Sequence, residues 1–179
     1  MRFLHRSLLR WANWIVNRFR SKPAEQPDKR SPVPRELGND ETVARFIYSR
    51  RHMSSTAPKP GAFDPSPHNE LSVAHSTDLP ETEIWELGLK TIGAAPGRDK
   101  IHGRADVFVG ALFDRKLRAV RDDSSFERHT SVVGWPNPDD PDERKQQRTE
   151  ICLELSQDSR VQLVRPESPI TRSTTTNVG

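Results

Sequence analysis

Two groups of side chains carry the types needed for chemistry on an anionic substrate. The first is Arg50, Arg51 and His52, followed by Lys59 and His68 in a Pro-rich stretch. The second is His102, Arg104 and Asp106, followed further along by Arg128 and His129. A guanidinium presents a flat fork of donors that fits phosphate or carboxylate, and Lys adds a point charge. A His beside such donors can serve as general acid or base. His52 and His129 are therefore the candidate catalytic residues. Arg50, Arg51, Lys59, Arg104 and Arg128 are the candidate ligand-binding residues. Arg45 or Arg50 on one strand with Ser72 on the next would suit a nucleotide-dependent transferase, but no acidic partner can be assigned to it. The plainer reading is that these charges are solvated strand ends and loops.

Six histidines raise the question of a metal. His68 with His75, or His102 with Asp106, could ligate, with Asp64 close in sequence. None has the HExxH spacing or another established ligand spacing, so no metal and no cofactor is expected. No G-x-S-x-G is present, and no Gly-rich phosphate loop follows a strand. Pro96 removes a donor that such a loop between Gly93 and Gly97 would need. The single cysteine, Cys152, excludes an intramolecular disulfide and a Cys-based zinc site, and reads as a buried helical thiol.

The elements that must position these groups follow from periodicity. Residues 43–48 alternate two faces and are β-branched and aromatic, which predicts a strand. The loop that follows, to Asn69, contains Pro58, Pro60, Gly61, Pro65 and Pro67, with Phe63 as its apolar anchor. Long loops without secondary structure are uncommon and disproportionately functional. Residues 71–75 predict a second strand. Asp78 and Glu81 have capping-box spacing and open a helix whose buried stripe is Ile84, Trp85, Gly88, Leu89 and Ile92. Residues 104–113 read as a central strand, 116–121 as an edge strand and 130–134 as another short strand. Asp140, Pro141 and Glu143 open a second helix that runs to Gln157 and buries Ile151, Cys152 and Leu155. Residues 160–165 read as the last strand. The class is α+β, a small mixed sheet with two packed helices, preceded by a separate N-terminal amphipathic helix.

Hydrophobic residues make up 32% of the chain and charged residues 30%, with 15 prolines. Such averages fit a folded body at residues 41–165 diluted by flanks: a Pro-rich linker at 21–40 and a disordered tail at 166–179. The net charge of +3 conceals an asymmetry. Residues 1–35 hold nine Lys or Arg and two acids, a balance of +7, which leaves −4 for the rest. The body is therefore not expected to bind nucleic acid, which needs clustered cations.

Within residues 1–20, Leu4, Leu8, Trp11, Ile15 and Phe19 share one helical face, and Arg2, Arg6 and Arg10 share the opposite one. This pattern suits the plane of an anionic membrane surface; docking on a partner protein and organellar targeting are the alternatives. On the membrane reading, the full chain is expected to co-sediment with anionic vesicles. A chain starting at Glu41 should not. Binding should weaken with salt, since each cation near the surface contributes about 1 kcal/mol. Replacing Arg2, Arg6 and Arg10 by Glu should abolish it. Equal partitioning of the two chains removes the membrane reading.

The segments RFIYSRRHMSSTAPKPGAFDPSPHNELSV, IWELG, GRADV and RHTSVVGWP resemble a group of small uncharacterised bacterial proteins, over residues 44–155. The resemblance implies a bacterial body domain and carries no activity. The expected function is a non-catalytic binding or accessory protein, held at an anionic membrane surface or a partner protein by its N-terminal helix. The expected place is cytoplasmic, peripheral at the inner membrane. The alternative is an enzyme acting on a phosphate-containing substrate through the Arg and His groups. A pocket in which Arg51, His52, Arg104 and His129 meet would favour the enzyme.

Overall fold

The computed structural model describes residues 34–92, 100–123 and 125–171. The expected N-terminal helix, with Leu4, Leu8, Trp11, Ile15 and Phe19, lies outside them, as do most of the linker and residues 172–179. The chain runs β1 (Arg35–Glu36), β2 (Thr42–Ile47), two 3-10 turns (Arg50–His52 and Pro60–Ala62), β3 (Leu71–His75), α1 (Glu81–Ile92), β4 (Lys100–Ile101) and β5 (Gly103–Phe108). It continues through α2 (Val109–Phe113), β6 (Arg118–Arg121), β7 (His129–Val133), α3 (Pro141–Gln157), β8 (Val161–Val164) and β9 (Ile170–Thr171). The class is α+β. Seven strands form one sheet in the order β1-β6-β7-β3-β2-β5-β8, and β4 pairs with β9 in a separate ribbon. Every pairing in the large sheet is antiparallel, so the expected mixed sheet is corrected. None of its spatial neighbours needs the same-direction crossover that a parallel pair requires.

Strand periodicity divides the sheet into two faces. Val43, Ile47, Leu71, Val73, Ala105, Val107, Ala119 and Val132 point to one face. α3 covers it with Cys152 and Leu155, and Phe63 and Trp135 fill the same core. Ala44, Phe46 and Ala74 point to the other face, under Ile84 and Leu87 of α1 and Ile101 of β4. α1 packs closely there because position 88 is glycine: a Cβ would lie 2.6 Å from Ile101 Cδ1 and 2.8 Å from the Phe46 ring. On this helix Leu87 and Thr91 are buried while Trp85 and Leu89 are only half-buried, a shift from the expected stripe.

Several boundaries differ from expectation for identifiable reasons. The strand expected over 104–113 ends at Phe108. The amides of Val109 and Gly110 donate to the carbonyls of Glu41 and Asn39 at 2.9 and 3.0 Å, and the chain turns into α2. β6 is not the sheet edge, since β1 pairs with its outer side. Leu37, placed in the linker by composition, is 1% exposed, and its amide donates to Ala119. Ile170, placed in the tail, packs against the second core cluster. The folded body thus draws on residues beyond 41–165 at both ends. Asp78 does not cap α1: it sits at φ 62, and the carbonyl of Pro80 accepts from Glu83 and Ile84 instead. Asp140 does cap α3, accepting from the amides of Asp142 and Glu143 with Pro141 at the start of the helix.

Candidate functional site

β3 and β7 are neighbours, with Ser72 opposite Ser131 and Ala74 opposite His129. Ser72 and His129 therefore lie diagonally across one strand pair on the α1 side of the sheet, within reach of each other. The β6–β7 register brings Asp122 beside His129, whose carbonyl accepts from the Asp122 amide at 3.1 Å. The three side chains form a continuous chain. Ser72 Oγ lies 3.0 Å from His129 Nε2, and His129 Nδ1 lies 2.6 Å from Asp122 Oδ1. A carboxylate only accepts, so it holds the ring proton on Nδ1 and leaves Nε2 free to accept from the serine hydroxyl. The imidazole is 6% exposed and is held from the side by the edge-on Phe126 ring, with centroids 5.0 Å apart. Ser72 is exposed. The β2–β3 register ends at Ala44 opposite Ala74, short of Ser72. Beyond it Arg45 donates to the carbonyls of Ser72 and Ala62, tying the long loop to the strand. Ser131, beside Ser72, donates to Glu70 at 3.2 Å.

A buried imidazole fixed by a carboxylate and bonded to an accessible hydroxyl has the parts of an activated nucleophile. Sequence reading named His129 and, in a minor pairing, Ser72. It missed Asp122. No sequence signal joins the two: it takes the β6–β7 register, in which Val120 faces Ser131, to put Asp122 on the face of His129.

The other expected residues are placed apart. Arg104 is 4% exposed, with Nε 2.9 Å from Asp106 Oδ1 and its Cζ 4.5 Å from the centre of the Trp85 ring. Its Nη1 lies 3.6 Å from Glu81, an ion pair too long for a hydrogen bond. Arg104 and His129 share a face, but β3 and β2 separate their strands, a gap of roughly 14 Å at normal strand spacing. Arg51 Nε lies 3.3 Å from His52 Nε2 on the loop side. Burial pushes the His52 imidazole below its ordinary value, and the charges of Arg51 and Arg45 add to this against the pull of Asp64. Arg50 lines a polar groove with His102 and Arg165. Lys59 is exposed, and Arg128 sits at φ 64 with Nη1 donating to the Thr77 carbonyl. Arg51, His52, Arg104 and His129 thus do not share one pocket. Among the described residues no group of three His, Cys, Asp or Glu is placed to hold a metal ion, and no helix is long and apolar enough to cross a membrane.

No protein-family model, curated protein or solved structure matches the chain.

At the end of β3, His75 is 6% exposed, and its Nε2 lies 3.1 Å from Glu41 Oε1. Among the described residues neither ring nitrogen makes a hydrogen bond. Burial pushes this imidazole below its ordinary value of 6.5; Glu41 opposes the shift, and Arg128, Arg121 and Arg35 reinforce it. Burial raises the Glu41 carboxyl, but hydrogen bonds from Arg35 and the Gly38 amide and the charge of Arg35 outweigh it, so Glu41 stays ionised. The fold therefore holds His75 neutral, whereas the unfolded chain protonates it below about pH 6.5. Because the unfolded state then binds more protons, stability should be fully present above that pH and fall as pH drops below it. His52 acts in the same direction. Urea midpoints between pH 7.5 and 5 should decline less steeply in His75→Gln than in the natural chain. Equal slopes would show that His75 is not held neutral.

Proposed function

We propose that the domain is a serine-type hydrolase acting on an uncharged acyl compound, an ester or amide, at the open sheet face around Ser72. The observation that carries this reading is the unbroken chain from Ser72 Oγ through His129 to Asp122 Oδ1. His129 Nε2 takes the hydroxyl proton as Ser72 attacks the acyl carbon, then returns it to the leaving oxygen or nitrogen. Water releases the acyl group by the same route in reverse. Asp122 holds the imidazole in the required tautomer and offsets its charge when it is protonated. An uncharged substrate is favoured because Asp122 and Glu70 flank the serine, while the Arg45 guanidinium is engaged by the Ser72 and Ala62 carbonyls and Arg104 by Asp106. The same engagement of these cations disfavours a phosphate-bearing substrate, the alternative, at this place.

The test is labelling of the full chain with a fluorophosphonate, followed by peptide mass spectrometry. Ser72 should carry the label, and His129→Ala should prevent it in a chain that still unfolds cooperatively. An unlabelled Ser72 in the folded natural chain overturns the reading. A second reading, a non-catalytic binding or accessory domain, is supported by the scatter of Arg51, His52, Arg104 and His129. On that reading the network only ties β3, β7 and β6 together, and no label is incorporated. In either case the face of Leu4, Leu8, Trp11, Ile15 and Phe19 is proposed to contact an anionic membrane surface or a partner protein.

A further inference from the structure

On the face of the sheet away from Ser72, a groove of about 440 Å³ lies between the turn Pro60–Ala62 and α3. The loop wall is Pro60, Gly61 and Asp64, and the helix wall is Arg144, Lys145, Arg148 and Cys152. The two guanidinium groups are clamped by the segment that enters α3. Arg144 Nε and Nη2 donate to the Pro138 carbonyl at 3.1 and 2.7 Å. Arg148 Nε donates to the Pro136 carbonyl at 3.1 Å, and its Nη2 to Asn137 Oδ1 at 3.3 Å. All these acceptors are uncharged, so the positive charges are positioned without being neutralised. Among the described residues, neither guanidinium uses its Nη1 in a hydrogen bond, and Arg144, Lys145 and Arg148 make no ion pair.

This arrangement costs stability in the empty protein. Arg144 and Arg148 are four residues apart on a helix, where like charges repel. Among the described residues Asp64 is the one acid lining the groove, so three cations leave a surplus of two positive charges. The side chains are already ordered, so a ligand need not supply the entropy of fixing them. The floor is apolar: Pro60 closes one side, and the 4% exposed Cys152 thiol closes the other. Burial pushes that thiol up to about 12, so it adds no negative charge. A phosphomonoester carries a charge of about −1.5 to −2 near neutral pH, which matches the surplus.

We propose that this groove binds a small phosphomonoester with a compact apolar body, its phosphate between Arg144 and Arg148 and its body against Pro60 and Cys152. The site is independent of the Ser72 centre. The long loop forms one wall, where chemistry was expected, but the cations come from α3 and not from Arg50, Arg51 or Lys59.

The experiment is thermal unfolding of the full chain with phenyl phosphate, inorganic phosphate and phenol as separate probes. Phenyl phosphate should raise Tm in a saturable way, since binding to the native state stabilises by mass action. Inorganic phosphate should bind at least tenfold more weakly, and phenol should give no shift at the same concentration. Arg144→Gln with Arg148→Gln should weaken phenyl phosphate at least tenfold, while Ser72→Ala leaves it unchanged. Should the double variant fail to fold, Lys145→Glu serves instead. It is exposed, so it should leave the unliganded Tm in place and still weaken binding. No shift with phenyl phosphate, an equal effect of inorganic phosphate, or full retention of binding in these variants would each overturn the assignment.

Discussion

Asp122→Asn should bring turnover of an activated ester down to the uncatalysed background, a loss of about 10²–10⁴-fold, while leaving the domain folded. The physical reason is the tautomer. An amide side chain can donate to Nδ1 as well as accept from it, so the proton is no longer kept off Nε2. The nitrogen facing Ser72 then ceases to be a reliable base. Ser72→Ala should remove acyl transfer at that site altogether. Its cost in stability is small, about 1 kcal/mol, because one exposed hydroxyl and one hydrogen bond are lost. The informative quantity is the contrast between turnover and stability in each variant. A network that only joins strands would give the opposite contrast: no change in a background hydrolysis rate, with lowered urea midpoints for His129 and Asp122 variants. Among the described residues, Ser72 Oγ hydrogen-bonds to His129 alone. The rate over background should therefore be modest, in the range of about 10²–10⁴ that positioned acid–base groups supply.

Phe63→Ala should destabilise the domain by about 3–5 kcal/mol, the usual range for emptying a buried aromatic site. Phe63 is 1% exposed and sits in the core beneath α3. Its amide bonds to the Pro60 carbonyl at 2.9 Å, closing the turn that forms the groove wall. For a domain of ordinary stability, about 5–15 kcal/mol, such a loss is a large share of the total. Urea unfolding followed by tryptophan fluorescence measures it directly. A near-neutral result would mean that the loop is not anchored by this ring. Phenyl phosphate binding provides a second readout, because a loosened wall at Gly61 and Asp64 should weaken it before the domain unfolds.

What was legible in the chain was local. Alternation of β-branched residues located β2, β3 and β7 within a residue or two. The Asp140-Pro141 start of α3 follows from hydrogen bonds made inside a single turn, so no distant residue is needed to read it. Phe63 stood out as the aromatic side chain in a polar loop, and burial was its only economical fate. The strand expected over 104–113 failed at Phe108 because residues 109–113 are apolar in a way that suits either period. The choice was made by acceptors on residues 39 and 41, far away in sequence.

Local pattern was enough for the class, for the positions of most elements and for His129 as a candidate imidazole. What that imidazole meets depends on strand pairing. Periodicity states which face of its own strand a residue occupies, but not which strand lies alongside. Ser72 and His129 are 57 positions apart, and they touch because β3 pairs with β7 in one register. A slip of one residue would send Ser72 into the core under α3 and His129 away from Asp122. The same holds for the charges. Arg104 and Arg144 are indistinguishable as letters, yet one is spent on Asp106 and the Trp85 ring, and the other is clamped by carbonyls with its charge left open. Pairing energy depends on distance and desolvation between remote groups, and those quantities exist only once the sheet has closed its register.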